Sequence, residues 1–157
     1  KTYSVVDIIT KEDSSTVSVK QYGNEIGNIF KNNMVSSRNE AVIAKDATEN
    51  ENPAILKELD PVIKSYKNIM NGLLKVNVPQ AMITQHLKLL NVMNSILFTA
   101  ENFRKSNIDP LAGIQATSLV LVNIQNITSA FEALEQYFTS LKINYLSNEG
   151  GSIFMRI

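Results

Sequence analysis

The sequence predicts an all-α protein, an antiparallel bundle of four main helices with a short extra helix and extended arms at both ends. Apolar residues recur every three or four positions over four long segments, as on one face of a helix. Prolines or side chains that cap helix N-termini precede these segments. The connections between the last three segments are short, which makes consecutive helices antiparallel neighbours. A chain of 157 residues can bury one sizeable core, so we expect one helical-bundle domain over 1–157.

The N-terminal arm, residues 1–13, is rich in β-branched and aromatic side chains and is predicted to be extended. A helix over 15–34 follows, and Gly23 and Gly27 stand four residues apart within it. Each glycine costs a helix about 1 kcal/mol relative to alanine. We therefore expect another backbone to approach Gly23 and Gly27, either by close helix packing or at an interface with a ligand or partner. Close packing is the simpler explanation.

A short helix over 39–47 and a polar loop lead to a helix over 53–75, capped by Asn52 and begun by Pro53. Pro61 falls within this amphipathic pattern. It predicts either a kink or a short helix that ends near Leu59 and restarts with Asp60 as the cap. A further amphipathic helix is predicted over 79–105.

The helix over 110–142 is predicted to be the centre of the bundle. Asp109 can cap its start, and Pro110 fits its first position, where a missing N–H costs nothing. Its sequence is apolar around most of the circumference, so we expect neighbours on most sides and a fully buried Ile127. The tail, residues 143–157, contains Gly150 and Gly151 and strand-like residues. It is predicted to be irregular or to pair as a strand within itself or with the N-terminal arm.

Composition excludes several classes of function. The chain has no cysteine, which rules out disulfides, zinc fingers, iron–sulfur clusters and thiol catalysis. Lysine plus arginine equals aspartate plus glutamate at 15 each, so charge gives no argument for nucleic acid or an anionic membrane surface. Asparagine is common, which predicts a weakly charged surface rich in amide groups. No apolar run reaches the roughly 18–20 residues that span a bilayer.

No residues are predicted to be catalytic, metal-binding or cofactor-binding. His86 is the single histidine, and no carboxylate stands at ligand spacing from it, so an ordinary semi-buried or surface histidine is expected. Glu132 and Glu135 stand three apart without the Glu-x-x-His motif of di-iron bundles and are expected to form a solvated face. Two interpretations remain for the large apolar side chains, a packed core or the lining of a small-molecule cavity: Met70, Met82, Met93, Phe98, Phe103, Phe131 and Phe138.

Three segments carry a resemblance to a known group: V-K-Q-Y-G-N-E-I-G-N-I-F from Val19, V-P-Q-A-M-I-T-Q-H-L-K-L-L-N from Val78, and D-P-L-A-G-I-Q from Asp109. Together they resemble uncharacterised all-helical exported or envelope-associated proteins of small-genome uncultivated bacteria. The resemblance covers most of residues 16–141. It implies a helical fold and an extracytoplasmic place, and it carries no activity over, because that group has none assigned.

The sequence therefore predicts a non-enzymatic interaction or structural module in the periplasm or on the cell surface, secreted or membrane-anchored. The expected partner is another envelope or surface protein. The alternative is a helical-bundle ligand-binding or sensor domain with a small molecule between its helices. Lys1 is not a natural start, so we expect the full gene to encode a signal peptide or one membrane-spanning helix upstream.

Overall fold

The computed structural model describes residues 1–155 and is mostly helical, as predicted. Its five α-helices are α1 (Thr16–Asn33), α2 (Glu40–Glu49), α3 (Leu59–Leu73), α4 (Ile83–Lys105) and α5 (Pro110–Ser140). Two three-residue strands are β1 (Ile9–Lys11) and β2 (Asn77–Pro79). Short 3-10 helices lie at Val5–Asp7, Pro53–Glu58, Gln80–Met82 and Gly150–Phe154.

Local sequence signals set the helix ends. Ser15 caps α1 by accepting a hydrogen bond from the backbone N–H of Ser18, and the side chain of Asn39 accepts from two backbone N–H groups of α2. Asp109 caps α5 by accepting from the N–H of Ala112, and Pro110 occupies the first turn. These caps satisfy N–H groups that have no partner inside the helix. The predicted starts of α1, α2 and α5 are accordingly confirmed to within a residue. The starts predicted at 53 and 79 are instead short 3-10 helices or strand, and α3 and α4 begin six and four residues later.

The second alternative for Pro61 is correct in part, because a short helix ends near Leu59 and a new helix follows it, but Asp60 is not the cap. Residues Pro53–Glu58 form a 3-10 helix, and α3 begins at Leu59 with no side-chain cap. Pro61 lies in the first turn of α3, where its missing N–H would have had no partner anyway. Asp60 instead accepts a hydrogen bond from Nε of Arg104 at 2.6 Å.

The N-terminal arm is held by parallel pairing of β1 with β2, in the register Ile9↔Asn77. The side chain of Asn91 bonds both the N–H and the carbonyl of Tyr3, at 2.7 and 3.0 Å. The prediction that the tail pairs as a strand is wrong for residues 143–155, because Gly150–Phe154 is a 3-10 helix packed on α1. Residues 156 and 157 lie outside the described part.

Two apolar clusters form the core. The larger joins α1, α3, α4, the second half of α5 and the tail, with Tyr22, Leu90, Phe138 and Phe154 among its buried members. The smaller lies around α2, the 3-10 helix at Pro53–Glu58 and the first half of α5. The large apolar side chains predicted as core are buried or packed against it, except Phe98, which is 46% exposed.

The prediction that α5 is covered on most sides is wrong. The residues that α5 buries in its first two-thirds are small or polar: Ala112, Ala116, Asn123 and Ala130. Ile127 is only partly buried, so an aspartate there would meet solvent as well as core. The packed face of α5 uses small side chains that allow close approach, which leaves its larger apolar side chains outside.

Candidate functional site

The first half of α5 presents an exposed apolar surface. Five of its large side chains are between 46% and 71% exposed: Leu111, Ile114, Leu121, Val122 and Ile124. No charged residue occurs from Pro110 to Phe131, so this surface is also uncharged. Scattered exposed apolar residues are normal on monomers, whereas contiguous patches of several hundred Å² usually mark interaction sites. This concentration on one helix therefore makes α5 the leading candidate surface.

A groove of about 1130 Å³ runs between α2 and the start of α5. Its apolar lining, called the floor below, combines the small residues Ala44, Ala47 and Gly113 with the larger Leu56 and Phe103. Its rim includes Thr48 and Thr117, and charge is confined to the α2 side and the loop after it, at Lys45, Glu49 and Glu51. An apolar, open groove of this volume accommodates a polypeptide segment better than a small molecule.

A separate pocket of about 210 Å³ adjoins the groove and shares Ala41 and Phe103 with it. Asn123 does not belong to the amide-rich surface that the many asparagines predict, because it is 5% exposed and lines this pocket. Its amide donates to Oγ1 of Thr99 at 2.8 Å, and its carbonyl accepts from Oγ of Ser95 at 2.6 Å. These polar groups bond one another, so a ligand in the pocket would meet mainly apolar contacts.

At the same pocket, the hydroxyl of Tyr66 donates a short hydrogen bond to the Glu40 carboxylate. Burial raises the pKa of Tyr66, and the hydrogen bond to Glu40 raises it further. The phenol therefore stays protonated at neutral pH and is not a proton acceptor. This pair ties α3 to α2 and has a structural role.

His86 is fully buried, not semi-buried or on the surface as the sequence suggested. Its Nδ1 lies 3.1 Å from the hydroxyl of Tyr22, while Nε2 has no partner in hydrogen-bonding geometry. Burial lowers the pKa of His86 from 6.5 to about 4, and the Leu73 backbone opposes that shift in part. No pocket described above reaches His86. It is a neutral core residue in this structure, whose removal we expect to leave any binding unchanged.

The tail segment lies against both Gly23 and Gly27, and the Phe138 side chain of α5 also approaches Gly23. A Cβ atom added to Gly27 would be 2.1 Å from the carbonyl oxygen of Gly150. One added to Gly23 would be 2.0 Å from the hydroxyl of Tyr145. Asn24 clasps the same segment, accepting from the N–H of Gly151 at 2.9 Å. The glycine pair thus lets residues 145–151 pack directly on α1.

Replacing Gly27 with alanine should therefore destabilise the protein. The gain in helix propensity is about 1 kcal/mol, whereas overpacking against backbone typically costs about 1–3 kcal/mol. We expect a net loss in melting temperature and faster proteolysis of the tail. Gln21→Ala, on the exposed side of the same helix, is the matched control and should leave both unchanged. A Gly27→Ala protein more stable than wild type would show that the tail does not need this contact.

Within residues 1–155, no group of three or more metal-ligating side chains comes together. None of the helices in that range combines the length and apolar character needed to cross a membrane. Comparison with family models, with curated proteins and with solved structures gives no match. The case for function therefore rests on the groove and on α5. Neither surface was predicted from the sequence, although the uncharged run from Pro110 to Phe131 signals an exposed apolar face.

Proposed function

We propose that the protein is a non-enzymatic interaction module that binds another protein through the groove between α2 and α5. The groove itself is the observation that carries this proposal, since it is apolar, open and about 1130 Å³ in volume. The expected occupant is an amphipathic helix of the partner, with small apolar residues towards the floor. Basic residues at its edge would meet the rim of the groove, where Glu49 and Glu51 outnumber Lys45.

In this proposal the four long helices, α1, α3, α4 and α5, form an antiparallel bundle that holds the groove rigid. Contacts join α1 to α3, α3 to α4 and α4 to α5, which supports the arrangement. Short connections between α3, α4 and α5 support it as well. Two salt bridges, from Arg38 to Asp46 and from Arg38 to Glu58, fix α2 beside the 3-10 helix at Pro53–Glu58. Both elements lie on the side of the groove away from α5.

Thr117→Arg should abolish partner binding without unfolding the protein. Thr117 is exposed and lines the groove, so a long cationic side chain there would occupy the space of the partner helix. Thr139→Arg, exposed near the other end of α5, is the matched control. Pull-down from source cells with the three proteins should recover one stoichiometric protein with wild type and Thr139→Arg alone. Equal recovery by Thr117→Arg would remove the groove from the proposal.

We also place the module outside the cytoplasm, secreted or anchored, in a bacterial envelope and in contact with another envelope or surface protein. A cysteine-free chain with balanced charge and an amide-rich surface supports this placement, as does the resemblance described above. The gene's upstream codons and cell fractionation test it. An upstream leader without an apolar run of about 10 residues, or a product confined to the cytoplasm, would contradict it.

The second candidate is a ligand-binding or sensor domain, and the pocket at Asn123 is the observation that favours it. Ligand sites are commonly about 300–1,000 Å³, so a pocket of about 210 Å³ suits only a small apolar molecule. A cavity of about 150 Å³ can hold benzene. Melting curves with benzene-sized aromatics test this function, because a ligand bound only by the folded state raises the melting temperature.

A further inference from the structure

We propose that α5 also pairs with α5 of a second copy of the chain, in antiparallel orientation, through an outer face separate from the floor of the groove. This outer face consists of Leu111, Ile114, Ser118, Leu121 and Gln125, flanked by Val122 and Ile124. The outer face adjoins the groove, because Ile114 and Ser118 also line the α5 side of the groove. Leu111, Leu121, Val122 and Gln125 do not line it, so the proposal goes beyond partner binding in the groove.

The spacing of the outer face fits a helix as its occupant. Its five central residues follow one another at intervals of three, four, three and four. This is the a/d spacing of a two-helix seam. The stripe lies opposite the packed face of α5, where Ala112, Ala116 and Asn123 are buried. A helix laid along it would therefore contact α5 without disturbing the core.

Charge favours a second copy as that helix. The outer face offers no charge for a different partner to recognise, because Pro110 to Phe131 is uncharged. A two-fold interface brings the same surface of both subunits together, so any charged residue at its centre would meet its own sign. An uncharged stripe of leucine, isoleucine, serine and glutamine meets its own copy without that repulsion.

The area of the outer face is consistent with a modest dimer. Its five large apolar side chains are each about half to two-thirds exposed, which makes a patch of several hundred Å². A stable specific interface takes about 800 Å² from each partner. The outer face supplies most of that area, and Ile108, which is 79% exposed, lies three residues before its first member, Leu111. The association should therefore depend on concentration.

Antiparallel pairing follows from the ends of the helix. A parallel pair would place Glu132 opposite its own copy and align the two helix dipoles. An antiparallel pair centred near Ala116 sets Leu111 against Leu121 of the second copy, and Ile114 against Ser118 of the second copy. It leaves Glu132 beyond the end of the partner helix.

The first test is the mass of the protein in solution. Sedimentation equilibrium of wild type should show a reversible monomer–dimer equilibrium, and Leu121→Glu should weaken dimerisation at least tenfold. Val17→Glu is the matched control, since Val17 is 68% exposed and Leu121 is 71% exposed. A wild type that stays monomeric at all concentrations would overturn the proposal, as would equal weakening by both variants. Binding of the monomer to phosphatidylcholine vesicles, lost in Leu121→Glu, would assign the face to lipid and overturn it too.

The second test uses the absence of native cysteine. Leu111→Cys and Leu121→Cys proteins should form a disulfide with each other when mixed, and neither should form one alone. In the antiparallel pair, each cysteine lies about 15 Å along the axis from its own copy, and a disulfide needs Cα atoms within about 7 Å. Cross-linking of each variant with itself would overturn the antiparallel pairing. Thr48→Arg, which enters the groove from the exposed α2 rim and lies off α5, should block groove binding and leave this cross-link intact, so loss of groove binding and loss of pairing are separable.

Discussion

Phe138→Ala should lower the free energy of unfolding by about 3–5 kcal/mol, the usual cost of deleting a buried aromatic ring. Phe138 is fully buried, and its ring centroid lies 5.4 Å from that of Tyr145 and 6.2 Å from that of Phe154. The ring also fills the space above Gly23, where an added Cβ would be 2.9 Å from its tip. Because glycine has no side chain to move into the space, the cavity would stay largely open.

Urea denaturation measures this loss as a lower midpoint at unchanged slope. Phe98→Ala makes the same chemical change on a ring that is 46% exposed and should cost a small fraction as much. Similar losses for the two variants would mean that the tail does not pack on Phe138 in solution.

Acid should destabilise the protein through His86. Its pKa is about 4 when folded, compared with 6.5 in an exposed histidine. Between these two values the unfolded chain binds more protons than the folded chain, so stability falls as pH falls from 6.5 to 4. A shift of this size corresponds to about 3 kcal/mol. Below pH 4 both states are protonated, and the contribution of His86 no longer changes.

His86→Gln is the variant that isolates this effect. Glutamine does not titrate, and the lost contact with the Tyr22 hydroxyl gives an offset that is the same at every pH. Carboxylates with lowered pKa values, such as Glu149, also destabilise the protein in acid, but they do so equally in both proteins. The difference in unfolding free energy should therefore shrink between pH 6.5 and 4. Parallel pH profiles would show that His86 is not buried as a neutral ring.

Local chemistry explains which parts of the fold could be predicted. Asn39 and Asp109 cap helices with their own side chains, so a few neighbouring residues are enough to predict where those two helices start. The environment of α5 is not local. Nothing within its sequence says that Ala116 and Asn123 face the core while Leu121 faces outwards. Which face of α5 is buried depends on how closely α4 approaches it, and the helical periodicity of the sequence does not predict that distance.

In the candidate site, too, features set by nearby residues could be predicted and features set by distant residues could not. Gly23 and Gly27 were predicted to meet another backbone, and a backbone does lie against Gly27, whereas side chains of Tyr145 and Phe138 lie against Gly23. The neighbour, Gly150, is more than a hundred positions away and could not be inferred from spacing. The groove depends on where α2 lies relative to α5, which is set by long-range contacts such as Tyr66 with Glu40. The uncharged run of α5 was visible, but high apolar content was interpreted as burial.

The hydrogen bonds that join α1 to the tail have a consequence for synthesis on the ribosome. Asn24 and Glu149 are joined across 125 positions of the chain, so α1 emerges long before the segment that covers it. Until residues 145–154 leave the exit tunnel, the rings of Tyr22 and Phe30 lack part of their cover. Contacts between such distant positions form late and slowly. A nascent chain that is stalled before residue 145 should therefore bind a chaperone, whereas the released protein should not bind it.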